Sequence, residues 1–268
     1  MSMDGVTAAR DDGYLLYQIH DFTAEMKEVL RCELVAICEG VAAARSSLPF
    51  YDYPAVVREL LRRIEAKPDG GRKGIVGELL VHVVVRTEMP DKVPASVLFN
   101  LEDSGYKKGF DLTLVDRGGG DLWFTEVKSG DVSDSSYPRD TLLELLTRAK
   151  TDLVNRLNQK DGWALWANAI NHAEKALDAA TDVKEAVVRL LSDCFTGSQA
   201  GAYKHTDASV ILAAVIFDKR VGDLTEQDMR ESHYAHQQKD GFADIAIIAI
   251  QKKAYATVID FLRTEARA

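Results

Sequence analysis

Residues 109–128 read GFDLTLVDRGGGDLWFTEVK, two runs rich in apolar and β-branched residues on either side of a glycine triplet. Turn chemistry of this kind between two β-rich runs predicts a β-hairpin. If the loop of residues 116–121 is symmetric, Val115 faces Leu122 across the hairpin. Pairing continued outward from that point brings Asp111 opposite Glu126.

The two faces of this hairpin differ in chemistry. Side chains alternate between the faces of a sheet, so Asp111, Glu126 and Lys128 share one face. The other face is apolar apart from Thr125, its members being Phe110, Leu112, Leu114, Trp123 and Val127. We interpret that second face as part of the hydrophobic core.

Two carboxylates opposite each other on neighbouring strands repel, and a divalent cation would offset that repulsion. Carboxylate oxygens suit Mg²⁺, with Mn²⁺ as an alternative. Lys128 lies two residues beyond Glu126, where its ammonium group would orient an attacking water or stabilise charge on a phosphate. The preceding helix offers a further carboxylate, Glu78. These residues predict a site for phosphodiester hydrolysis, and the alternative is an exposed hairpin face with three solvated charges.

Outward from the hairpin, the pattern of apolar residues predicts an α/β fold with a mixed sheet covered by helices. Strands are predicted over 95–100, 109–115, 122–128, 209–217 and 242–250, and helices over 22–45, 54–66, 73–86, 138–158, 163–177, 183–194 and 252–263. Asp21 and Thr23 are candidate N-caps of the first helix. Residues 68–71, PDGG, are the best candidate boundary. We therefore divide the chain into an N-terminal helical region, 1–68, and a main domain, 69–268, with a helical insertion at about 160–200.

Composition narrows the class of protein. The 268 residues are 46% apolar and 28% charged, which is ordinary for a globular protein and excludes a disordered or collagen-like chain. No apolar stretch reaches the roughly 18–20 residues that cross a bilayer, and no secretion signal is evident, so we expect a cytoplasmic protein without membrane contact. The three cysteines are too few and too scattered for a disulfide framework or a zinc cage. The net charge of −9 argues against a protein that binds nucleic acid alone by electrostatic attraction.

The motifs GELL (77–80), GFD (109–111) and EVKSG (126–130) together resemble the PD-(D/E)XK nuclease pattern. More narrowly, GYKKGFD (105–111) and WFTEVKSG (123–130) resemble the HamA/AbpA family, nuclease subunits of the Hachiman anti-phage defence system. The likeness is good over about 72–130 and loose over 209–217. Phe110 stands where the broad pattern has a proline.

The resemblance implies a restriction-endonuclease-like core. It implies that Asp111 and Glu126 bind the metal, that Lys128 assists the water, and that Glu78 completes the metal site or positions the water. It also implies a large helicase partner, HamB-like, which would supply the engagement of DNA that an acidic chain lacks.

Several other residues are weaker candidates. His82 shares a helix face with Glu78 but is more typical of a packed histidine. His233 and His236 form a superficial metal motif. Basic residues at 148, 150, 156 and 160, or in the segment 56–73, either follow a DNA backbone or form solvated helix faces.

We therefore expect a metal-dependent DNA endonuclease that is restrained and activated through a partner helicase. Two alternatives stay open: a catalytically silent scaffold or DNA-binding subunit, and a stand-alone restriction or repair nuclease. Retention of Asp111, Glu126 and Lys128 favours the enzyme, and the net acidity speaks against a nuclease acting alone. The sequence does not indicate an oligomeric state.

Overall fold

The protein is described by a computed structural model, which covers residues 3–99, 109–118, 120–159, 162–178, 182–237 and 241–267. Within these ranges the chain forms a seven-stranded sheet with helices on both faces. The strands are β1 (Val6–Asp11), β2 (Tyr14–Ile19), β3 (Lys92–Pro94), β4 (Leu112–Asp116), β5 (Leu122–Asp131), β6 (Ser209–Phe217) and β7 (Asp244–Lys252). The helices are α1 (Ala24–Glu39), α2 (Val41–Ala44), α3 (Tyr53–Glu65), α4 (Asp69–Glu88), α5 (Pro138–Leu157), α6 (Trp163–Ala176), α7 (Asp182–Gln199), α8 (Glu226–Gln237) and α9 (Ala256–Glu265).

The sheet is mixed, with the strand order β1-β2-β7-β6-β5-β4-β3. Strands β2, β7, β6 and β5 are parallel to one another, while the pairs β1–β2, β4–β5 and β3–β4 are antiparallel. Both edges are short strands with polar residues. β3 carries Lys92 and Pro94, residue types that discourage pairing with another chain at a free edge. The predicted mixed α/β sheet covered by helices is therefore confirmed.

Each face of the sheet has its own core. Helices α1, α3, α4 and α9 pack on one face, where Leu30, Leu79 and Val127 belong to the same buried cluster. Helices α5, α6, α7 and α8 pack on the other, where Phe124 lies with Leu145 and Trp166. The face of the hairpin that carries Glu126 is therefore covered as well, whereas the sequence suggested a core on the opposite face alone.

Local signals explain where several helices begin. Thr23, one of the two predicted caps, accepts a hydrogen bond from the backbone of Met26 at the start of α1. Asp52 does the same for α3, which has Pro54 in its first turn. The Pro68 break is shorter than predicted, because α4 already begins at Asp69 and includes both following glycines.

The prediction of a helical region over 1–68 is wrong for residues 6–19, which form β1 and β2. Both strands join the same sheet as the rest of the chain, with β2 bonded to β7. The strand predicted over 95–100 is also wrong. The strand at this edge is β3, earlier in the chain, and Asn100 lies outside the described residues. Helix α8 was not predicted, whereas the strand predicted over 209–217 coincides with β6.

Candidate functional site

The hairpin of β4 and β5 has the predicted register. Val115 pairs with Leu122, and Leu112 pairs with Thr125 at the far end of the ladder. Asp111 immediately precedes Leu112, in a bend rather than in the strand. Continuing the register by one residue therefore places it beside Glu126.

The side chain of Asp111 is fixed against the neighbouring strand. Its Oδ2 atom accepts a hydrogen bond of 2.8 Å from the backbone N–H of Val127, on β5. The carboxylate at the end of one strand thus lies against the backbone next to Glu126 on the other strand.

Glu126 is the most deeply placed carboxylate at this site, with 1% of its surface exposed. Its oxygens accept hydrogen bonds from two cationic side chains. Arg156 binds in a two-pronged manner, Nη1 to Oε2 at 2.6 Å and Nη2 to Oε1 at 3.1 Å. Lys128 Nζ lies 2.7 Å from Oε1, which places Lys128 on the same side of the strand as Glu126, as predicted.

Helix α5 supplies the other members of this arrangement. Asp152 lies one turn before Arg156, and its Oδ2 atom is 2.6 Å from Lys128 Nζ. Arg156 Nη1 also donates to the backbone carbonyl of Gly109, at 3.0 Å. We call Asp111, Glu126, Lys128, Asp152 and Arg156 the Glu126 cluster.

Burial governs the electrostatics of the Glu126 cluster. It raises the pKa of Glu126 above its ordinary value, the nearby charge of Asp111 adds to that effect, and Arg156 and Lys128 oppose it. Burial lowers the pKa of Lys128, but the charge of Glu126 and the hydrogen bond to Asp152 outweigh this, so its net pKa is raised. Lys128 is therefore held as an ammonium group.

Glu78 stands on a different helix from Asp152 and Arg156. It is half-buried on α4, which packs on the opposite face of the sheet from α5. Its neighbour Gly77 lies directly against Ser129 of β5. Within the described ranges, no three His, Cys, Asp or Glu side chains are grouped so that they could hold a metal ion. The roles predicted for Glu78, Asp111 and Glu126 as metal ligands stay predictions, and residues 105–108 of the motif lie outside the described part.

The histidines and basic residues that were weaker candidates are mostly engaged within the fold. His82 is buried, with 1% exposed. His233 Nε2 donates to the carbonyl of Ile245, and His236 Nδ1 to that of Ser232. Lys150 donates to the carbonyl of His236, and Arg156 points into the Glu126 cluster, so these two do not form an outward basic row. Lys160 lies outside the described residues.

A cleft of about 510 Å³ opens at the other end of β5, beside Trp123. Its walls include Arg10, Tyr14 and Asp244, and none of the predicted site residues lines it. Trp123 is five residues before Lys128, roughly 16 Å along the strand. The Glu126 cluster and this cleft are therefore separate features.

The sequence pattern did not predict Asp152 as a site residue, and it left Arg156 either along a DNA backbone or on a solvated helix face. A signal for both residues exists in the sequence. They are four apart on α5 and share one face, in the first helix after the strand that carries Glu126 and Lys128. At that spacing, the carboxylate of Asp152 can pair with the ammonium group of Lys128, and the guanidinium of Arg156 can pair with the carboxylate of Glu126.

Comparison with known proteins identifies the family of this chain. No curated protein matches it. The family model HamA matches residues 20–266, which is nearly the whole chain. The residues before this match are those that form β1 and β2. The protein therefore belongs to the HamA family.

Proposed function

We propose that this protein is the nuclease effector of a Hachiman-type anti-phage defence complex, a metal-dependent DNA endonuclease with a restriction-endonuclease-like core. The observation that carries the proposal is the Glu126 cluster, where a buried glutamate lies between two cations and beside a second carboxylate. Membership of the HamA family supports the defence role. The element order α4, β3–β5, α5, β6 supports the proposed core.

The donor chemistry of the cluster fits a divalent cation. Asp111 and Glu126 offer the hard carboxylate oxygens that Mg²⁺ and Mn²⁺ prefer. In the described part of the chain, Asp111 uses only Oδ2, which leaves Oδ1 as a ligand. The five side chains carry three negative and two positive charges, so the cluster has a net negative charge that favours a cation.

Asp111 and Glu126 would hold the ion. Glu78, the further carboxylate predicted from sequence, stands on the helix that packs on the opposite face of the sheet, so its part in the proposal rests on the resemblance alone. When bound, the ion supplies a water of lowered pKa and neutralises charge on the phosphate. Lys128 is fixed by Asp152 with its ammonium close to Glu126, where it stabilises developing negative charge. Asp152 thus acts by positioning Lys128.

DNA is the proposed substrate, and a helicase subunit is the proposed partner. The net charge of −9 opposes tight binding of DNA by this chain alone at physiological salt. A partner that binds DNA would supply that affinity and would link cleavage to its own recognition of DNA. This part of the proposal rests on the resemblance to HamA.

The first prediction is that Glu126→Gln, Asp111→Asn and Lys128→Ala each abolish plasmid degradation in Mg²⁺. Glutamine is chosen over alanine at Glu126 because it keeps the volume of the side chain and one oxygen that accepts a hydrogen bond from Arg156 or Lys128. Both substitutions remove the buried counter-charge of these two cations, a change that costs about 3–5 kcal/mol in comparable pairs. The assay uses the chain together with a helicase subunit of the proposed kind, and each variant is melted in parallel.

Glu144→Gln is the matched control, because Glu144 is an exposed carboxylate on α5 that pairs with Arg148. It is expected to leave cleavage unchanged. If Glu126→Gln melts normally, binds the helicase and still degrades plasmid, the nuclease proposal is wrong.

The silent-scaffold alternative also has an observation in its favour. Both oxygens of Glu126 are bound by cationic side chains, an arrangement that a purely structural ion-pair network would show as well. On that reading, wild-type protein in the helicase complex degrades no DNA under any Mg²⁺ or Mn²⁺ condition, and Glu126→Gln weakens folding or assembly instead.

A further inference from the structure

Arg156 contacts the two carboxylate oxygens of Glu126 that a metal ion would bind. Its guanidinium binds both carboxylate oxygens, at 2.6 and 3.1 Å. A two-pronged arginine–carboxylate contact is among the strongest side-chain pairs, and its geometry is specific. An ion that binds Glu126 therefore competes with Arg156 for the same oxygens.

The two cations on Glu126 are held differently. Lys128 has a second carboxylate partner, Asp152. Arg156 has the neutral carbonyl of Gly109 as its other acceptor, and its side chain is 24% exposed. Arg156 can thus leave Glu126 for solvent while keeping a hydrogen bond, whereas Lys128 stays fixed by charge.

Charge balance favours exchange of Arg156 rather than addition of an ion beside it. The Glu126 cluster with Arg156 carries one net negative charge, and without the guanidinium contact it carries two. A divalent ion that replaces this contact neutralises the cluster, whereas one added beside Arg156 would leave an excess positive charge in a buried place, which is costly.

We propose that Arg156 is a positioning residue that holds Glu126 in the metal-free protein and yields it to the divalent cation. This inference rests on the proposed function, because it assumes that Glu126 is a metal ligand. Arg156 then sets the concentration of metal at which the site fills.

The test is binding of Mn²⁺ alone to the intact chain, measured by electron paramagnetic resonance and by the rise in Tm on adding Mn²⁺. Mildly alkaline buffer limits competition by protons for the carboxylates. Arg156→Gln is expected to tighten Mn²⁺ binding by about ten-fold or more, because it removes the competing charge and keeps a donor for Gly109. Arg156→Lys keeps the charge without the two-pronged contact and is expected to fall between wild type and Arg156→Gln.

Arg148→Gln is the matched control. Arg148 lies two turns earlier on α5, is exposed and pairs with Glu144, so its loss is expected to leave Mn²⁺ affinity unchanged. A merely structural role for Arg156 would lower the Tm of Arg156→Gln without changing the Mn²⁺ affinity, and this result would overturn the inference. Weaker Mn²⁺ binding by Arg156→Gln would overturn it too.

The two proposals fail in different ways. If Glu126→Gln binds Mn²⁺ as wild type does, Glu126 is not a ligand and the metal-dependent function is wrong. If Glu126→Gln abolishes binding but Arg156→Gln does not change it, the function stands and the exchange is wrong. Should Arg156→Gln unfold, Arg156→Lys decides: tighter binding than wild type supports the exchange, and unchanged binding overturns it.

Discussion

His82 is a buried side chain on α4. Both ring nitrogens are enclosed and unpaired among the described residues. Burial lowers the pKa of His82 to about 3, and the charges of Arg86 on the same helix and of His172 on α6 act in the same direction. The histidine is therefore neutral in the folded protein and contributes little beyond packing.

The second prediction concerns the pH dependence of stability. In the unfolded chain a histidine titrates near 6.5, well above the folded value for His82, so the unfolded state takes up the proton first. The free energy of unfolding is unaffected above pH 6.5 and falls as the pH drops below it, by up to about 1.4 kcal/mol per pH unit for one group, until about pH 3. His82→Leu removes this loss, and it also removes two unsatisfied polar atoms.

The measurement is Tm against pH for wild type and His82→Leu. The variant is expected to match or exceed wild type at pH 7 and to show a shallower decline below pH 6.5. Part of the remaining decline comes from His172, whose pKa burial also lowers, to about 4, and part from carboxylates with lowered pKa values, such as Glu59, whose hydrogen bond to Arg62 lowers its pKa to about 2. His20→Gln, at an exposed position, is the control and is expected to keep the wild-type slope. A lower Tm at pH 7 with an unchanged slope would contradict the account of His82.

Some residues of the site could be predicted from local sequence patterns, and others depend on how distant elements pack. Asp111, Glu126 and Lys128 follow from strand alternation and a short symmetric loop, which are local rules. Arg156 and Asp152 reach the site only because α5 folds back over the strand before it. Their partners are set by packing between elements, which the spacing of one segment does not contain.

At the scale of elements, the contact between α4 and β5 depends on a glycine. A Cβ added at Gly77 would lie 1.9 Å from Ser129 Oγ and 3.1 Å from Ser129 Cβ. Glycine inside a helix costs about 1 kcal/mol relative to alanine, so helix propensity alone would favour the larger residue. Close approach of helix and strand explains why glycine is present.

The third prediction is that Gly77→Ala destabilises the protein by roughly 1–3 kcal/mol, the usual cost of overpacking a core. The control is Gly74→Ala, three residues earlier on α4, where an added Cβ meets nothing within 4 Å. That change is expected to stabilise by up to about 1 kcal/mol. Urea unfolding of the two variants gives opposite signs if packing against Ser129 decides the effect; equal signs would show that helix propensity decides it.

There is a physical reason why some strands and helices could be predicted from the sequence and others could not. β6 is apolar and buried on both faces from its second residue to its last, and it was predicted with its correct bounds. α8 buries only Met229, Ser232 and His236, so it has no apolar stripe to detect. β2 lies between two cores and is too short, at six residues, for its apolar run to be distinguished from a buried helical segment.

At the scale of the whole molecule, the hairpin of β1 and β2 joins the two cores. Leu15, Tyr17 and Ile19 of β2 pack in one, and Tyr14 and Leu16 pack in the other. β2 also covers the edge of β7, with six paired positions from Tyr14 to Ile19. The HamA match begins at residue 20, so these strands lie before the matched part of the chain. None of the described helices is long and apolar enough to span a membrane.

The last prediction is that a chain shortened to residues 20–268 does not fold stably. Five large side chains that are at most 5% exposed would be lost from the two cores. At about 1.5–3 kcal/mol each, their burial is worth roughly 8–15 kcal/mol, which is comparable to the whole free energy of unfolding of a typical protein, about 5–15 kcal/mol. The apolar edge of β7 would also be open to pairing between chains, so the shortened protein is expected to aggregate in size-exclusion chromatography and to show no cooperative melt.

The point variant Ile19→Ala should lower the free energy of unfolding by about 2–5 kcal/mol, whereas Thr7→Ala, on the exposed face of β1, should change it little. A cooperative melt of residues 20–268 near the wild-type Tm would show instead that the HamA-matched part is a complete folding unit and that the hairpin is an addition to it.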